Sequence, residues 1–209
     1  MKRSTQAIME RAASAGVVVP AFNIPYLPMM EAVVRALRET GTFGLIQVAR
    51  LEWIKFASGS LQAVRDEYER VKDERYTRLH LDHVPVIDED GRQVDYEAVI
   101  GEALDAGYES VMVDGSRLDL AGNIACTRRA SARAHRFGVP VEAELGAVLG
   151  HEAGPLPPYE ELFASGRGFT DPEEAVRLVS ESGCDWLSVA VGNIHGAISG
   201  AAKARKKPQ

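Results

Sequence analysis

Six short apolar runs recur at residues 17–22, 44–49, 78–82, 110–113, 139–144 and 185–191, and a helical pattern separates each from the next. Runs such as Leu45-Ile46-Gln47-Val48 and Val111-Met112-Val113 are apolar at consecutive rather than alternate positions. Such strands are covered on both faces, and strand–helix alternation of that kind demands a parallel sheet flanked by helices. The helices carry their own punctuation. Ser4 or Thr5 starts the first and Gly16 stops it, while Pro28 opens the second at a position proline tolerates, ahead of Met30, Val33, Val34 and Leu37. Residues 51–74 read as helical in their charged second half. Asp95 caps a helix ended by Gly107, residues 120–137 form one closed by Gly138, and Asp171-Pro172-Glu173-Glu174 begins one that ends at Gly183. Glycines and prolines over residues 150–168 predict a long mobile loop, and Asp90-Gly91 closes the acidic stretch 84–91 in a solvated turn without calcium-loop spacing.

Six units in 209 residues give about 35 residues each, and eight would need about 280, the usual size of a (β/α)8 TIM barrel. A doubly wound open sheet fits the alternation too, but Asn23-Ile24-Pro25 follows the first strand where a dinucleotide fingerprint would stand. The alternation predicts an α/β chain of about six strand–helix units in residues 1–209, one domain or part of a larger one. A net charge of -6 argues against nucleic acid as a partner, and no long apolar run or signal peptide indicates a membrane or export. Cys126 and Cys184 make neither a disulfide framework nor a metal motif, so reduced core thiols in the cytoplasm are expected.

Chemistry collects where the strands end. Asn23, Gln47, Asp82 with His83, Asp114 with Ser116, Glu144, and Asn193 with His195 all stand at C-terminal strand ends. In a parallel barrel those ends converge on one face, where active sites sit. The competing reading is that these residues cap the helices that follow, as Asp114 and Ser116 are placed to do. The densest stretch is His80-Leu81-Asp82-His83. Strand alternation puts His80 and Asp82 on one face, and a strand ending near Asp82 swings His83 into the loop toward the same site. A carboxylate beside an imidazole suits metal-assisted proton transfer. His80 either lines the site or is a satisfied core histidine, His135 reads as a surface residue, and Trp53 and Trp186 as packing.

The pieces Pro20-Ala21-Phe22-Asn23, His80-Leu81-Asp82-His83, 110–116, Val141-Glu142-Ala143-Glu144-Leu145-Gly146 and Gly192-Asn193-Ile194-His195-Gly196 occur in one order over most of residues 17–200. In that order the chain resembles the class II, metal-dependent fructose-bisphosphate aldolase family, also called ketose-bisphosphate aldolases. The resemblance implies that the six units are six of the eight of a (β/α)8 TIM barrel, one domain cut short at its C-terminal end. The same resemblance implies reversible cleavage of a ketose 1,6-bisphosphate, of fructose or tagatose, to dihydroxyacetone phosphate and glyceraldehyde 3-phosphate. It implies zinc as cofactor, with His83 and His195 as two of three ligands and Asp114 and Glu144 as acids bordering the metal. A second metal or a monovalent cation belongs to the same expectation. Asp82 resembles the acid/base at the aldehyde or C4 hydroxyl oxygen. Glu152 resembles the mobile-loop base that moves the dihydroxyacetone phosphate proton. Asn23, Gly196 and Ser116 resemble substrate contacts. Phosphorylated ketose and triose phosphates are the implied partners, and a homodimer or homotetramer the implied assembly.

The chemistry accords with those roles. Taking a proton from beside a ketone creates an enediolate, and its charge needs a Lewis acid and a positioned carboxylate. Two departures stand out: Ala49 and Arg50 follow Gln47-Val48 where relatives often carry serine, and 196–200 lacks a lysine found in many members. The family's third histidine and its Asn-containing phosphate loop do not occur before Gln209, so a C-terminally shortened enzyme is expected. The alternatives are a catalytically inactive aldolase-like binding protein and a metal-dependent barrel lyase with a different substrate.

Overall fold

Strands β1 (Ala21–Asn23), β2 (Gly44–Ala49), β3 (Thr77–Pro85), β4 (Ser110–Asp114), β5 (Val141–Leu145) and β6 (Trp186–Val189) hydrogen-bond in chain order, and every neighbouring pair is parallel. The computed structural model describes residues 3–147, 159–166 and 168–192. Strand order decides the fold. A doubly wound sheet must reverse direction about its first strand, whereas a barrel wall runs through its strands in sequence. The observed order is the second, six staves of a (β/α)8 barrel wall.

The helices between them are α1 (Thr5–Ser14), α2 (Met29–Thr40), α3 (Arg50–Lys55), α4 (Leu61–Val71), α5 (Tyr96–Ala106), α6 (Leu120–Ala134), α7 (Tyr159–Ser165) and α8 (Pro172–Ser182). The apolar stripes of α2, α4, α5, α6 and α8 cover the outer face of the sheet. Met30, Val34 and Leu37 of α2 are buried with Leu79 and Leu81 of β3 in one core that continues through Ile100 and Leu104 of α5. The expected caps hold. Asp95 accepts from the Ala98 amide, and Asp171 accepts from those of Glu173 and Glu174, with Pro172 in the first helical turn. Helix α1 crosses the opposite end of the barrel. Gln6 Oε1 accepts from Trp186 Nε1 at 2.9 Å, and the Arg3 carbonyl accepts from Arg78 at 3.0 Å, so α1 ties β6 to β3 beneath the floor.

Four local readings change. Only Ala21 and Phe22 of the run 17–22 are strand, with Asn23 beyond it, and Val17 and Val18 are 60% and 87% exposed. Among the described residues β1 pairs with β2 alone, so nothing encloses that run on its other side. Residues 51–74 hold two helices, because Gly59, at φ 82°, and the Ser60 cap break the chain between α3 and α4. The loop 150–168 contains α7 in its second half. Asp88 in the acidic turn is buried rather than solvated, since its carboxylate accepts from the amides of Asp90 and Arg92 at 3.1 and 2.9 Å. Cys126 and Cys184 are both buried and unbridged.

Candidate active site and metal centre

Strand β3 does not end at Asp82. Leu81 pairs with Val111 and Val84 with Val113, so Asp82 and His83 together stand opposite the single residue Met112. This is a β-bulge, and His83 sits at φ 38°, a left-handed conformation rare for a side chain of that size. Buried Val84 and Val86 explain why pairing resumes beyond it. The extra residue cancels the strand alternation that would send Asp82 and His83 to opposite faces, and both side chains reach the same barrel mouth.

There His83 meets the ends of β4 and β5. Its Nδ1 lies 3.6 Å from Asp114 Oδ2 and its Nε2 lies 3.5 Å from Glu144 Oε2. One donor atom from each of the three lies within 4.8 Å of the others. Asp114 is fixed by the Ser116 amide, which donates to its Oδ1 at 2.9 Å, and Ser116 is thereby placed at the site's edge. Glu144 is fixed through its backbone: Asn123 Nδ2 donates to the Glu144 carbonyl at 2.8 Å. Its side chain is different. Oε2 is buried with no hydrogen-bond donor among the described residues. A buried carboxylate oxygen without a hydrogen bond is costly, and a cation closer than the His83 ring would satisfy it. One imidazole and two carboxylates suit a divalent ion that takes nitrogen and oxygen ligands, zinc included.

The electrostatics agree. Burial opposes a charged ring on His83. The Asp114 carboxylate 3.6 Å away and the charges of Asp82 and Glu144 outweigh it and raise the pKa to about 10. Burial and the Asp114 charge push Glu144 up to about 7. Burial also raises Asp114, but the pairing with His83 and the hydrogen bond from Ser116 win and hold it below the ordinary carboxylate value. Without a metal, the ring serves as the cation that three acids share.

Beside this centre lies Asp82, 8% exposed. Asn23 Nδ2 donates to Asp82 Oδ2 at 2.8 Å, and Asn23 Oδ1 accepts from Gln47 Nε2 at 2.8 Å. Glu52, in the first turn of α3, adds a buried carboxylate whose Oε2 accepts from the Ala49 amide at 2.7 Å and faces Asn23 Nδ2 at 3.5 Å. Arg50, the other departure noted in this segment, turns its guanidinium toward Asp88 at 3.9 Å. One layer below, buried His80 hydrogen-bonds Ser110 Oγ through Nδ1 at 2.9 Å and points Nε2 at Glu142 Oε2, 3.5 Å away. Burial drops His80 to about 4 and, with the Asp82 charge, raises Glu142 to about 7.

The structure thus brings Asn23, Asp82, His83, Asp114, Ser116 and Glu144 to one mouth. Glu152, His195 and Gly196 lie outside the described residues, as does Asn193. His80 belongs to the floor rather than the mouth. Glu52 and Glu142 had been given no role. Glu142 was detectable, because a residue two before Glu144 on a strand shares its face. Glu52 lies beyond a strand end inside a helical turn, and no strand-end pattern reaches it. His135, on the 3-10 turn at residues 135–137 that follows α6, is half-exposed and pairs with Asp185 at 2.9 Å, away from the site.

A family model for class-II fructose-bisphosphate aldolases matches residues 3–207. The fructose-bisphosphate aldolase of Staphylococcus aureus (strain N315) is 31% identical over 191 residues, covering 90% of this chain and 60% of that protein. The probable fructose-bisphosphate aldolase of Bacillus subtilis (strain 168) is 29% identical over 198 residues, covering 92% and 62%. Among solved structures, the YdjI aldolase from Escherichia coli K12 superposes with a TM-score of 0.70 at 26% identity, covering 93% of this chain and 64% of that one. A putative fructose-1,6-biphosphate aldolase from Coccidioides immitis gives 0.69 at 25% identity, covering 93% and 63%. The chain spans about 60% of the length of the curated relatives it matches.

Proposed function

Because the chain belongs to the class-II fructose-bisphosphate aldolase family, we propose that it is a metal-dependent aldolase that cleaves a phosphorylated ketose. The substrate in this reading is fructose or tagatose 1,6-bisphosphate, and the products are dihydroxyacetone phosphate and glyceraldehyde 3-phosphate. The observation that carries it is the orphaned Glu144 Oε2 facing His83 and Asp114, with Asp82 alongside. His83, Asp114 and Glu144, with His195 as a further ligand, would hold zinc. The ion supplies Lewis acidity toward the substrate's oxygens.

The chain's own groups do the rest. Asp82, aimed by the Asn23 amide, is placed to carry the proton of the aldehyde or C4 hydroxyl oxygen. Glu152 is the proposed base for the proton of dihydroxyacetone phosphate, and Asn23, Ser116 and Gly196 the proposed substrate contacts. A cytoplasmic homodimer or homotetramer built on one barrel domain completes the reading. No described helix is long and apolar enough to cross a membrane. A second reading, a barrel lyase with another substrate, is favoured by one observation, the buried Glu52 carboxylate at the mouth.

The test uses the full chain loaded with zinc. Cleavage of fructose or tagatose bisphosphate, and exchange of a dihydroxyacetone phosphate proton with D2O, are expected. Glu152→Ala should keep the metal and lose the exchange. Undiminished exchange removes Glu152 from the mechanism, and a zinc-loaded wild type inert in both assays overturns the aldolase reading.

A further inference from the structure

We propose that Glu52 is a positioning residue that locks the Asn23 amide against Asp82 and so sets the aim of that carboxylate. The role given to Asp82 rests on the aldolase reading above; the geometry of the lock does not.

Asn23 has two donor hydrogens on Nδ2 and acceptor lone pairs on Oδ1. Gln47 Nε2 takes the Oδ1 side at 2.8 Å, Asp82 Oδ2 takes one hydrogen at 2.8 Å, and Glu52 Oε2 faces the same nitrogen at 3.5 Å. Rotating the amide by half a turn would set its oxygen against two carboxylates and its nitrogen against the Gln47 amide nitrogen. Glu52 therefore adds a second carboxylate against the flipped amide and faces the second hydrogen, which would otherwise be free to draw Asn23 away. Glu52 is itself held, because its Oε2 accepts from the Ala49 amide at 2.7 Å at the start of α3. Capping α3 does not need a buried acid. Burial and the charge of Asp82 both raise its pKa, a cost that an exposed cap would avoid. The carboxylate sits where its reach, rather than its charge, is useful.

Two variants separate reach from charge. Glu52→Gln keeps the length and an acceptor oxygen, and Glu52→Asp keeps the charge but falls one methylene short of Asn23. In the full-length zinc-loaded protein, Glu52→Gln is expected to leave kcat within about threefold of wild type. Glu52→Asp should lower kcat by about 10–100-fold, the range seen when a supporting hydrogen bond around a metal site is lost, with KM little changed. The NMR signals of the Asn23 side-chain amide give a readout independent of turnover. They should stay distinct and slow to exchange with water in Glu52→Gln, and exchange faster in Glu52→Asp. The reverse ranking, or Asn23 signals identical in both variants, overturns the proposal. If the wild type binds zinc yet turns nothing over, the aldolase reading fails while the Asn23 signals still decide the role of Glu52.

Discussion

His83 Nε2 faces Glu144 Oε2 at 3.5 Å, and among the described residues no group donates a hydrogen bond to that oxygen. At this distance the contact is a pairing of charges rather than a short hydrogen bond. The ring is thus protonated where a metal ligand must be neutral. Metal binding then displaces a proton from His83, whose pKa is about 10, and from part of the Glu144 population, at about 7. Zinc affinity should rise about tenfold per pH unit between pH 7 and 9, and more steeply below pH 7. Competition with a chromophoric chelator at several pH values measures the slope. A flat profile would mean that His83 is not a ligand.

Linkage in the metal-free protein runs the other way. A histidine raised from 6.5 to about 10 contributes stability that is fully present below pH 6.5 and fades as pH rises through 10. Glu144, raised from 4.5 to about 7, contributes stability below pH 4.5 that is lost as pH rises through 7. At pH 8 its charge, buried beside that of Asp114, is a liability that the His83 ring does not fully offset. Glu144→Gln should therefore raise the melting temperature of the metal-free chain at pH 8, leave it unchanged near pH 4, and weaken zinc by about 10–100-fold. Calorimetry on stripped and loaded samples separates these effects, and a variant less stable than wild type at pH 8 without metal would contradict them.

The barrel wall was legible because consecutive apolar residues such as Leu45, Ile46 and Val48 mark a strand covered on both faces, and helix punctuation such as Asp171-Pro172 acts locally. Strand-end position alone placed Asn23, Asp82, Asp114 and Glu144 at one mouth. The bulge at Asp82 and His83 was not legible. It arises from pairing with β4 that extends past the site to Pro85, a long-range constraint with no local marker. Glu52 escaped for the same reason. Its significance lies in reaching Asn23, 29 residues earlier in the chain, from a helical turn. Exposed Val17 and Val18 show the limit of composition: an apolar run is buried only if something stands beside it.

His80 offers a pH test set apart from the mouth. Its pKa falls to about 4 from 6.5, so its neutral form contributes stability above pH 6.5 that drains away as pH drops toward 4. Glu142, raised to about 7, has the opposite slope and partly cancels it. His80→Asn retains a polar group for Ser110 but does not titrate. It should cost roughly 1–3 kcal/mol at pH 7 through lost packing beside Trp186. That deficit should shrink by up to about 1.4 kcal/mol per pH unit between pH 6.5 and 4.5. Urea titrations across that window report it, and a constant deficit would show that His80 is already charged in the folded chain.

Gly115 links packing to the metal centre. A Cβ added there would lie 2.4 Å from Asn123 Oδ1 and 2.9 Å from Cys126 Sγ, both on the buried face of α6. Neither neighbour has room to retreat. Asn123 is 1% exposed, its Oδ1 accepts from Thr127 at 3.2 Å, and its Nδ2 holds the Glu144 carbonyl at 2.8 Å. Gly115→Ala must therefore displace α6 or surrender the bond that anchors the end of β5, and overpacking of this kind costs about 1–3 kcal/mol. The loss should reach the site as well, because Glu144 and Asp114 are the residues on either side of the disturbed contact. Gly115→Ala is expected to lower both melting temperature and zinc affinity, whereas Asn123→Ala in the same background should relieve the closer of the two clashes and not restore zinc binding. If the double variant regained wild-type affinity, the Asn123 bond to β5 would have no part in placing Glu144.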